Sequence, residues 1–365
     1  MPGRVLGELM AYESSYWDDL RTALACIPDA AKLHGTRILV TGATGMICSS
    51  IVDILLFMNR EHSANITVFV AGRSERAAVE RFARFSAGDS SIVFVPYDAT
   101  SSEGVALDSD VDFIIHGASN ANPALYMERP VDTMLANILG LSSMFDLARA
   151  TSARKLLYIS SSEVYGKSEG THPYAENDFG YLDILNERAG YPSSKRAGES
   201  LCVAYGMQYG IDSVIVRPGH IYGPSIRSSD NRASAEFTRN AVAGNEVVLR
   251  SKGSQLRSYC YSLDCASAIL TVLLQGERAN AYNISNPHSI CTISDIAEAI
   301  AHAGGVEARY DLSAESGLSA PSLMQNSSLA SDKLEALGWE PAFDLEHGVD
   351  RMMSVLKEPG GPFSV

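Results

Sequence analysis

Tyr191-Pro192-Ser193-Ser194-Lys195 puts a phenol and an ammonium four residues apart, on one face if the segment is helical. An ammonium beside a phenol favours phenolate, which brings a pKa of ~10 toward the working range of a general base. The same spacing also arises as an ordinary surface contact, so the pair needs further groups around it. Upstream, the apolar run Lys155 to Ser160 leads into Ser161-Ser162-Glu163-Val164-Tyr165-Gly166. Open α/β sheets bind ligands at the carboxyl ends of their strands. Two hydroxyls, Ser161 and Ser162, and the Glu163 carboxylate would therefore face such a site.

A second constellation suits a dinucleotide. The run Arg37 to Thr41 passes directly into Gly42-Ala43-Thr44-Gly45-Met46-Ile47-Cys48 and a helical stretch. Glycines there permit a tight turn and close backbone approach, while open helix N–H groups attract a pyrophosphate. Cys48 stands where the usual third glycine would be, small enough to let helix and strand pack. The second strand ends Val70-Ala71-Gly72-Arg73-Ser74 without the acid that binds the ribose of NAD. Arg73 could meet a 2′-phosphate, stack on adenine, or be merely solvated, which leaves NAD and NADP both open. Asp98, followed by Ala99, could accept from the adenine amino group or cap its own loop. Gly117-Ala118-Ser119-Asn120 follows the fourth strand with small residues that would let a dinucleotide cross.

The elements that must hold these residues alternate. Candidate strands at Arg37 to Thr41, Ile66 to Ala71, Ser91 to Pro96, Val111 to His116, Lys155 to Ser160 and Ser213 to Arg217 are separated by helical patterns near 45–59, 74–85, 131–150 and 191–209. That alternation predicts an α/β, Rossmann-like, doubly wound parallel sheet. The pattern loosens after residue 218 into a helix near 233–243, a strand at Val247 to Arg250 and shorter elements. The expected division is a helical extension at 1–34, a dinucleotide-binding domain at 35–217 carrying Ser161, Tyr191 and Lys195, and, at 218–365, mainly a smaller C-terminal lobe that binds the nucleotide sugar. In the extension, Trp17, Leu20, Leu24 and Ile27 fit a helix packed on the outside, or a lid or dimer contact.

Composition narrows the function. The 365 residues carry 29 Lys+Arg against 43 Asp+Glu, a net charge of −14. That balance argues against nucleic acid, whose phosphates are met by basic groups. No apolar run approaches the ~18–20 residues of a membrane span, the longest candidate being broken by Asp53. The first residues lack the order of a secretory signal. Six scattered cysteines without a CxxC pair suit neither a metal site nor a disulfide framework, so a reducing cytoplasm is expected.

In this order, the motifs resemble the extended short-chain dehydrogenase/reductases, the NAD-dependent epimerase/dehydratase group acting on nucleotide sugars. The likeness runs over about 36–350 and rests on the glycine turn, Ser161 to Gly166, Tyr191 with Lys195, Arg217-Pro218 with Tyr222-Gly223-Pro224, Arg257 to Asp264, and Lys333-Leu334 with Leu337-Gly338-Trp339. It implies a bound NAD or NADP contacted by Gly42, Thr44, Gly45, Met46, Ile47, Arg73, Asp98, Ala99, Gly117, Ala118, Ser119, Tyr191, Lys195 and Pro218. It further implies that Tyr191 takes the proton of a sugar hydroxyl, that Ser161 hydrogen-bonds the same oxygen, and that Lys195 holds the cofactor ribose. The product of that step is a transient 4-keto sugar.

Ser162-Glu163 departs from the Asp-Glu of the family's 4,6-dehydratases. With Tyr126, Pro130 and the Lys195-Arg196 pair, it is similar instead to UDP-glucuronate decarboxylases, in which Ser162, Glu163 and Asn120 would line the sugar. Arg257 would meet a carboxylate or the diphosphate, and Arg232, in Asp230-Asn231-Arg232, would cover the nucleotide ahead of Phe237. His220 stands where the family commonly has an Asn touching the diphosphate; it could replace that Asn, act as an acid or base, or be structural. UDP-sugar 4-epimerisation stands beside decarboxylation. The alternatives are 4,6-dehydration, a net NADPH-dependent ketone reductase and a non-catalytic dinucleotide sensor. The expected partners are a nucleotide sugar, most simply a UDP-sugar, and a second copy of the chain in a homodimer.

Overall fold

The computed structural model describes residues 15–83, 91–101, 103–167, 170, 172–227, 230–312 and 325–358. Its centre is a parallel sheet of seven strands: β1 (Arg37–Thr41), β2 (Thr67–Gly72), β3 (Ile92–Pro96), β4 (Phe113–His116), β5 (Lys155–Ile159), β6 (Ser213–Pro218) and β10 (Ala281–Ile284). They lie in the order β10-β6-β5-β4-β1-β2-β3, so the chain steps outward from β1 in both directions. Ile38, Val40, Val68, Val70, Ile115 and Val216 enter the core on one face. Their strand neighbours Leu39, Phe69, Ile114, Leu156 and Ile215 enter the core on the other. Two buried faces are why these strands read as continuous apolar runs.

Helices α1 (Tyr16–Ala25), α2 (Met46–His62) and α8 (Ser262–Gln275) cover the first face, and α5 (Pro130–Thr151) with α6 (Gly190–Tyr209) the second. The doubly wound sheet expected from the alternation is thus present. Element ends move by a few residues: α2 runs on to His62, and the helix expected at 74–85 is α3 (Glu75–Phe82). In α2, Asp53 is fully buried and accepts from the Tyr16 hydroxyl at 2.8 Å and from Arg81 at 3.0 Å. α1 is a packed helix, with Tyr16, Trp17, Leu20 and Ala23 inside the core; residues 1–14 of the expected extension lie outside the described residues.

The residues after 218 are shared between the smaller lobe and the main sheet. Among them, α8 packs across α2 and β10 pairs β6 as the last strand of the main sheet. α8 is buried along nearly its whole length, so its sequence carries no amphipathic stripe to announce which layer it joins. The smaller lobe is built around β9 (Leu256–Tyr261), which pairs β7 (His220–Tyr222), β11 (Ile290–Thr292) and β13 (Asn326–Ser327). Around it pack α7 (Ala233–Val242), α9 (Ile293–Gly304) and α11 (Leu345–Lys357), with β8 (Val247–Leu249) pairing β12 (Ala308–Tyr310).

Candidate active site

The carboxyl ends of six adjacent strands, β6-β5-β4-β1-β2-β3, lead into most of the residues singled out in the sequence. Five steps of about 4.8 Å make that edge about 24 Å long. Pro218 sits at one end, Arg73 and Asp98 at the other, and the serine turn, Gly117 to Asn120 and the glycine turn lie between.

At the glycine turn, Gly42 has φ +66°, and a Cβ there would come within 2.9 Å of the Gly117 carbonyl. Gly45 begins α2 with no side-chain cap, so the first helical N–H groups stay open toward an anion. The Thr41 hydroxyl ties β1 to β4: it accepts from the N–H groups of Gly117 and Ala118 at 3.1 Å each, and bonds His116 Nδ1 at 2.9 Å. Cys48 is accommodated by the residue facing it. A Cβ on Gly117 would lie 2.4 Å from the Cys48 Sγ, so the glycine missing from α2 is compensated across the turn. Ser119 Oγ is buried without a hydrogen-bond partner. An open backbone cradle, an uncapped helix start and an orphaned hydroxyl fit a dinucleotide.

Arg73 is exposed beyond β2, and the following Ser74 caps α3 through the Ala77 N–H at 3.2 Å. Asp98 is occupied as a loop cap, accepting from the Thr100 N–H at 2.9 Å and its hydroxyl at 2.8 Å, which holds the carboxyl below its ordinary range. Ala99 packs into the second core. Thr44 and Met46 are reached from above by the smaller lobe: Arg227 donates to the Thr44 hydroxyl at 2.9 Å, and Arg232 Nη2 lies 3.6 Å from Met46 Sδ. Ile47 is half-buried beside them.

Tyr191 is the second residue of α6, buried, with its ring stacked on Tyr126 at 5.1 Å. The Tyr126 hydroxyl accepts from Arg188 at 3.0 Å and meets Glu163 Oε1 at 3.5 Å. Ser161 caps the 3-10 turn Ser162–Tyr165 by accepting from the Glu163 N–H at 3.2 Å, and Ser162 is buried. Arg196 clamps that turn from α6, donating to the carbonyls of Val164 at 2.6 Å and Tyr165 at 3.2 Å. Asn120 turns to Thr133 at 3.3 Å.

One expectation is corrected here. Lys195 Nζ donates to the Ile159 carbonyl at 2.7 Å and lies 5.8 Å from the centre of the Tyr191 ring. Its ammonium is bonded to the end of β5, and burial brings its pKa down to about 7. Burial first, and the Glu163 carboxylate second, push the Tyr191 phenol well above its ordinary value, with a hydrogen bond to Ser161 opposing them. Burial also pushes Glu163 up, against the Arg188 charge.

Beyond β6, His220 pairs in register with Tyr259, the rings 5.7 Å apart. Arg257 lies two residues back on β9, buried, and donates to the Leu256 carbonyl at 2.8 Å. Arg232 forks onto Asp230 at 3.0 and 3.1 Å.

Two groups escaped the sequence reading. Arg188 lies three residues before Tyr191 and touches it through Tyr126. Glu199 accepts from the Ser160 hydroxyl at 2.6 Å and from Arg217 at 2.6 and 2.9 Å, bracing β5, β6 and α6. The i, i+4, i+8 series Tyr191, Lys195, Glu199 was the available signal for it.

Comparison with known proteins gives three findings. The model of a family described as the NAD dependent epimerase/dehydratase family matches residues 38–285. Among curated proteins, the chain is 31% identical over 316 residues to UDP-glucuronic acid decarboxylase 6 of Arabidopsis thaliana, covering 87% of each. It is 30% identical over 324 residues to UDP-glucuronic acid decarboxylase 1 of Xenopus tropicalis, covering 88% of this chain and 72% of that one. Among solved structures, a UDP-glucose 4-epimerase with UDP-glucose from Thermotoga maritima superposes with a TM-score of 0.72 at 21% identity, over 87% of this chain and 97% of that one. That last likeness is one of fold.

Proposed function

The chain belongs to the NAD dependent epimerase/dehydratase family, and from that premise we propose that it decarboxylates a UDP-uronic acid through a transient 4-keto sugar, with no net consumption of NAD. Gly42, Gly45 and the open start of α2 would hold the pyrophosphate, with Gly117 to Ser119 beside it. When bound, NAD supplies the acceptor, and later the donor, of one hydride at the sugar's C4. Tyr191 removes the C4 hydroxyl proton while Ser161 holds the same oxygen, and Lys195 orients the ribose. The 4-keto uronate is a β-keto acid, so the bond to its carboxyl group breaks with the electron pair delocalised onto the ketone. Glu163, biased by burial toward its protonated form, then protonates the enolate carbon, with Ser162 beside it. A Glu163 that keeps its proton also removes the carboxylate that opposes ionisation of Tyr191.

The observation that carries this reading is the cluster of Glu163, Tyr126, Arg188 and Tyr191 at the end of β5. It joins a buried acid to a cation that a substrate carboxylate would meet. Relatives named for UDP-glucuronic acid support it. UDP-sugar 4-epimerisation is the second reading, because Ser161 and Tyr191 suffice for it without Glu163. Dehydration would need an acid where Ser162 stands.

NADP remains a variant of the proposal, supported by the exposed Arg73 and the lack of an acid at the end of β2. A homodimer is supported by apolar residues left exposed on α5 and α6, among them Val131 at 66% and Met207 at 83%. Six free cysteines fit a cytoplasmic setting, and no helix among the described residues is long and apolar enough to cross a membrane.

The test is to incubate the protein with UDP-, GDP-, CDP- and dTDP-sugars and record product masses. Loss of CO2 from UDP-glucuronate, absent in Tyr191→Phe, is the expected result. Loss of water, or changed stereochemistry at constant mass, would move the assignment to dehydration or epimerisation. Consumption of NADPH mole for mole with product would replace the redox-neutral reading by a ketone reductase.

A further inference from the structure

We infer that Tyr158 is a positioning residue for Lys195: the π face of its ring seats the buried ammonium at the end of β5 and keeps that lysine charged. The inference deepens the proposed function and rests on its assignment of Lys195 to the cofactor ribose.

The seat is built across three strands. Thr41, His116 and Tyr158 stand in register on β1, β4 and β5, so their side chains form one buried row on the face that α5 and α6 cover. Thr41 bonds His116 Nδ1 at 2.9 Å, and the His116 ring stacks on Tyr158 with centres 6.1 Å apart and planes 17° from parallel. Lys195 comes down on this row from α6. Its Nζ lies over the Tyr158 ring, 4.8 Å from the centre, against 5.8 Å for the Tyr191 ring, while it donates to the carbonyl of the next residue, Ile159. The other end of the row holds the cofactor cradle, because the Thr41 hydroxyl also accepts from Gly117 and Ala118.

Charge makes the ring matter. Burial acts against the Lys195 ammonium, and among the described residues no carboxylate lies within ion-pair distance of it. Glu199, one turn further along α6, favours the charged form, but its carboxylate is held by Arg217 at 2.6 Å and by the Ser160 hydroxyl at 2.6 Å. The remaining titratable groups around Lys195 are uncharged near neutrality. Burial pushes Cys48 on α2 up to about 12 and raises Cys202, Tyr191 and Tyr158, and it holds His116 down at about 3. One carbonyl and one aromatic face are left to support the ammonium, and a cation over a ring is held more strongly where water is excluded.

The Tyr158 hydroxyl takes no part in this. It is buried without a hydrogen-bond partner, and it has room because residue 198 is glycine, where a Cβ would lie 2.5 Å from it. Ring and hydroxyl can therefore be removed separately.

The test compares Tyr158→Phe, which keeps the ring, with Tyr158→Leu and Tyr158→Met, which do not, by urea unfolding of the full-length chain at a series of pH values. Without the ring the charged form of Lys195 loses its seat and the neutral form does not. The ratio of unfolding constants, Leu or Met over Phe, is expected to widen about tenfold as pH falls from about 9 to about 5. Other groups titrate alike in these proteins and cancel from the ratio. In a Lys195→Met background the widening should vanish. With UDP-glucuronate as substrate, the alkaline limb of kcat/KM should move down by about one pH unit in Tyr158→Leu and stay in place in Tyr158→Phe. A ratio independent of pH, a widening that survives Lys195→Met, or a limb unmoved in Tyr158→Leu overturns the inference and leaves the proposed function standing. If the wild-type protein turns over no nucleotide sugar, the proposed function fails, and the unfolding ratios still decide the seat by themselves.

Discussion

Tyr191 and Glu163 are best understood as one coupled pair of acids. Each is buried, each is pushed toward its protonated form, and the carboxylate is the largest charge opposing the phenolate. With Glu163 protonated in the wild type, Glu163→Gln keeps a neutral side chain beside Tyr191, so the acid limb of kcat/KM for a 4-epimerisation or the first oxidation is expected to stay in place. The same variant cannot protonate an enolate carbon, so turnover of UDP-glucuronate falls about 10²–10⁴-fold. A pH–rate profile and product formation, measured side by side, check both. Equal and negligible losses on every substrate would strip Glu163 of a catalytic part. The ammonium of Lys195, bonded to the Ile159 carbonyl, acts in this picture on the ribose and on the end of β5 before it acts on the phenol.

At the scale of elements, the junction of β1, α2 and β4 depends on a trade between two side chains. The usual small residue in α2 is Cys48, and the matching void is provided by Gly117 at the end of β4. Gly117→Ala is expected to destabilise the protein by about 1–3 kcal/mol, as overpacking does, and to weaken NAD binding. Cys48→Gly on top of it should recover most of both. Thermal unfolding and NAD titration of the single and double variants decide; if the double variant is no better than the single, the two residues are not a packing pair. The serine turn has a similar dependence on α6, since Arg196 holds the carbonyls of Val164 and Tyr165. The helix that carries Tyr191 thereby also fixes Ser161 and Glu163.

Over the whole molecule, α1 joins the sheet's outer helix layer to the smaller lobe. Asp19 accepts from Arg351 of α11 at 2.6 Å and from the Tyr261 hydroxyl at 3.2 Å. Burial outweighs these partners and raises Asp19 to about 6. A carboxyl raised above its unfolded value binds protons more readily in the folded state, so its contribution to stability declines as pH rises from about 4 to 6 and is level above that. Arg351→Met should cost about 3 kcal/mol near neutrality, the low end for a buried pair because Arg351 is 26% exposed. The loss should shrink as pH falls toward about 6 and level off below it, because without the arginine burial pushes Asp19 higher still and the variant takes up the proton first. Urea unfolding at a series of pH values checks this, and a loss independent of pH would rule out the pairing as its cause. The sequence by itself determined the doubly wound sheet, because strands buried on both faces must alternate with helices that cover them. It also placed the glycine turn, Gly117 and Ser161 along one edge, since in such a sheet the carboxyl ends of the strands lie together. What only the tertiary structure decided are the contacts between residues far apart in the chain: Cys48 against Gly117, Arg188 on Tyr126, α8 and β10 returning to the sheet after residue 218, and Lys195 turned to a carbonyl. Local periodicity reports which face of an element is buried and is silent on what lies opposite it, and both packing and pKa are set by what lies opposite.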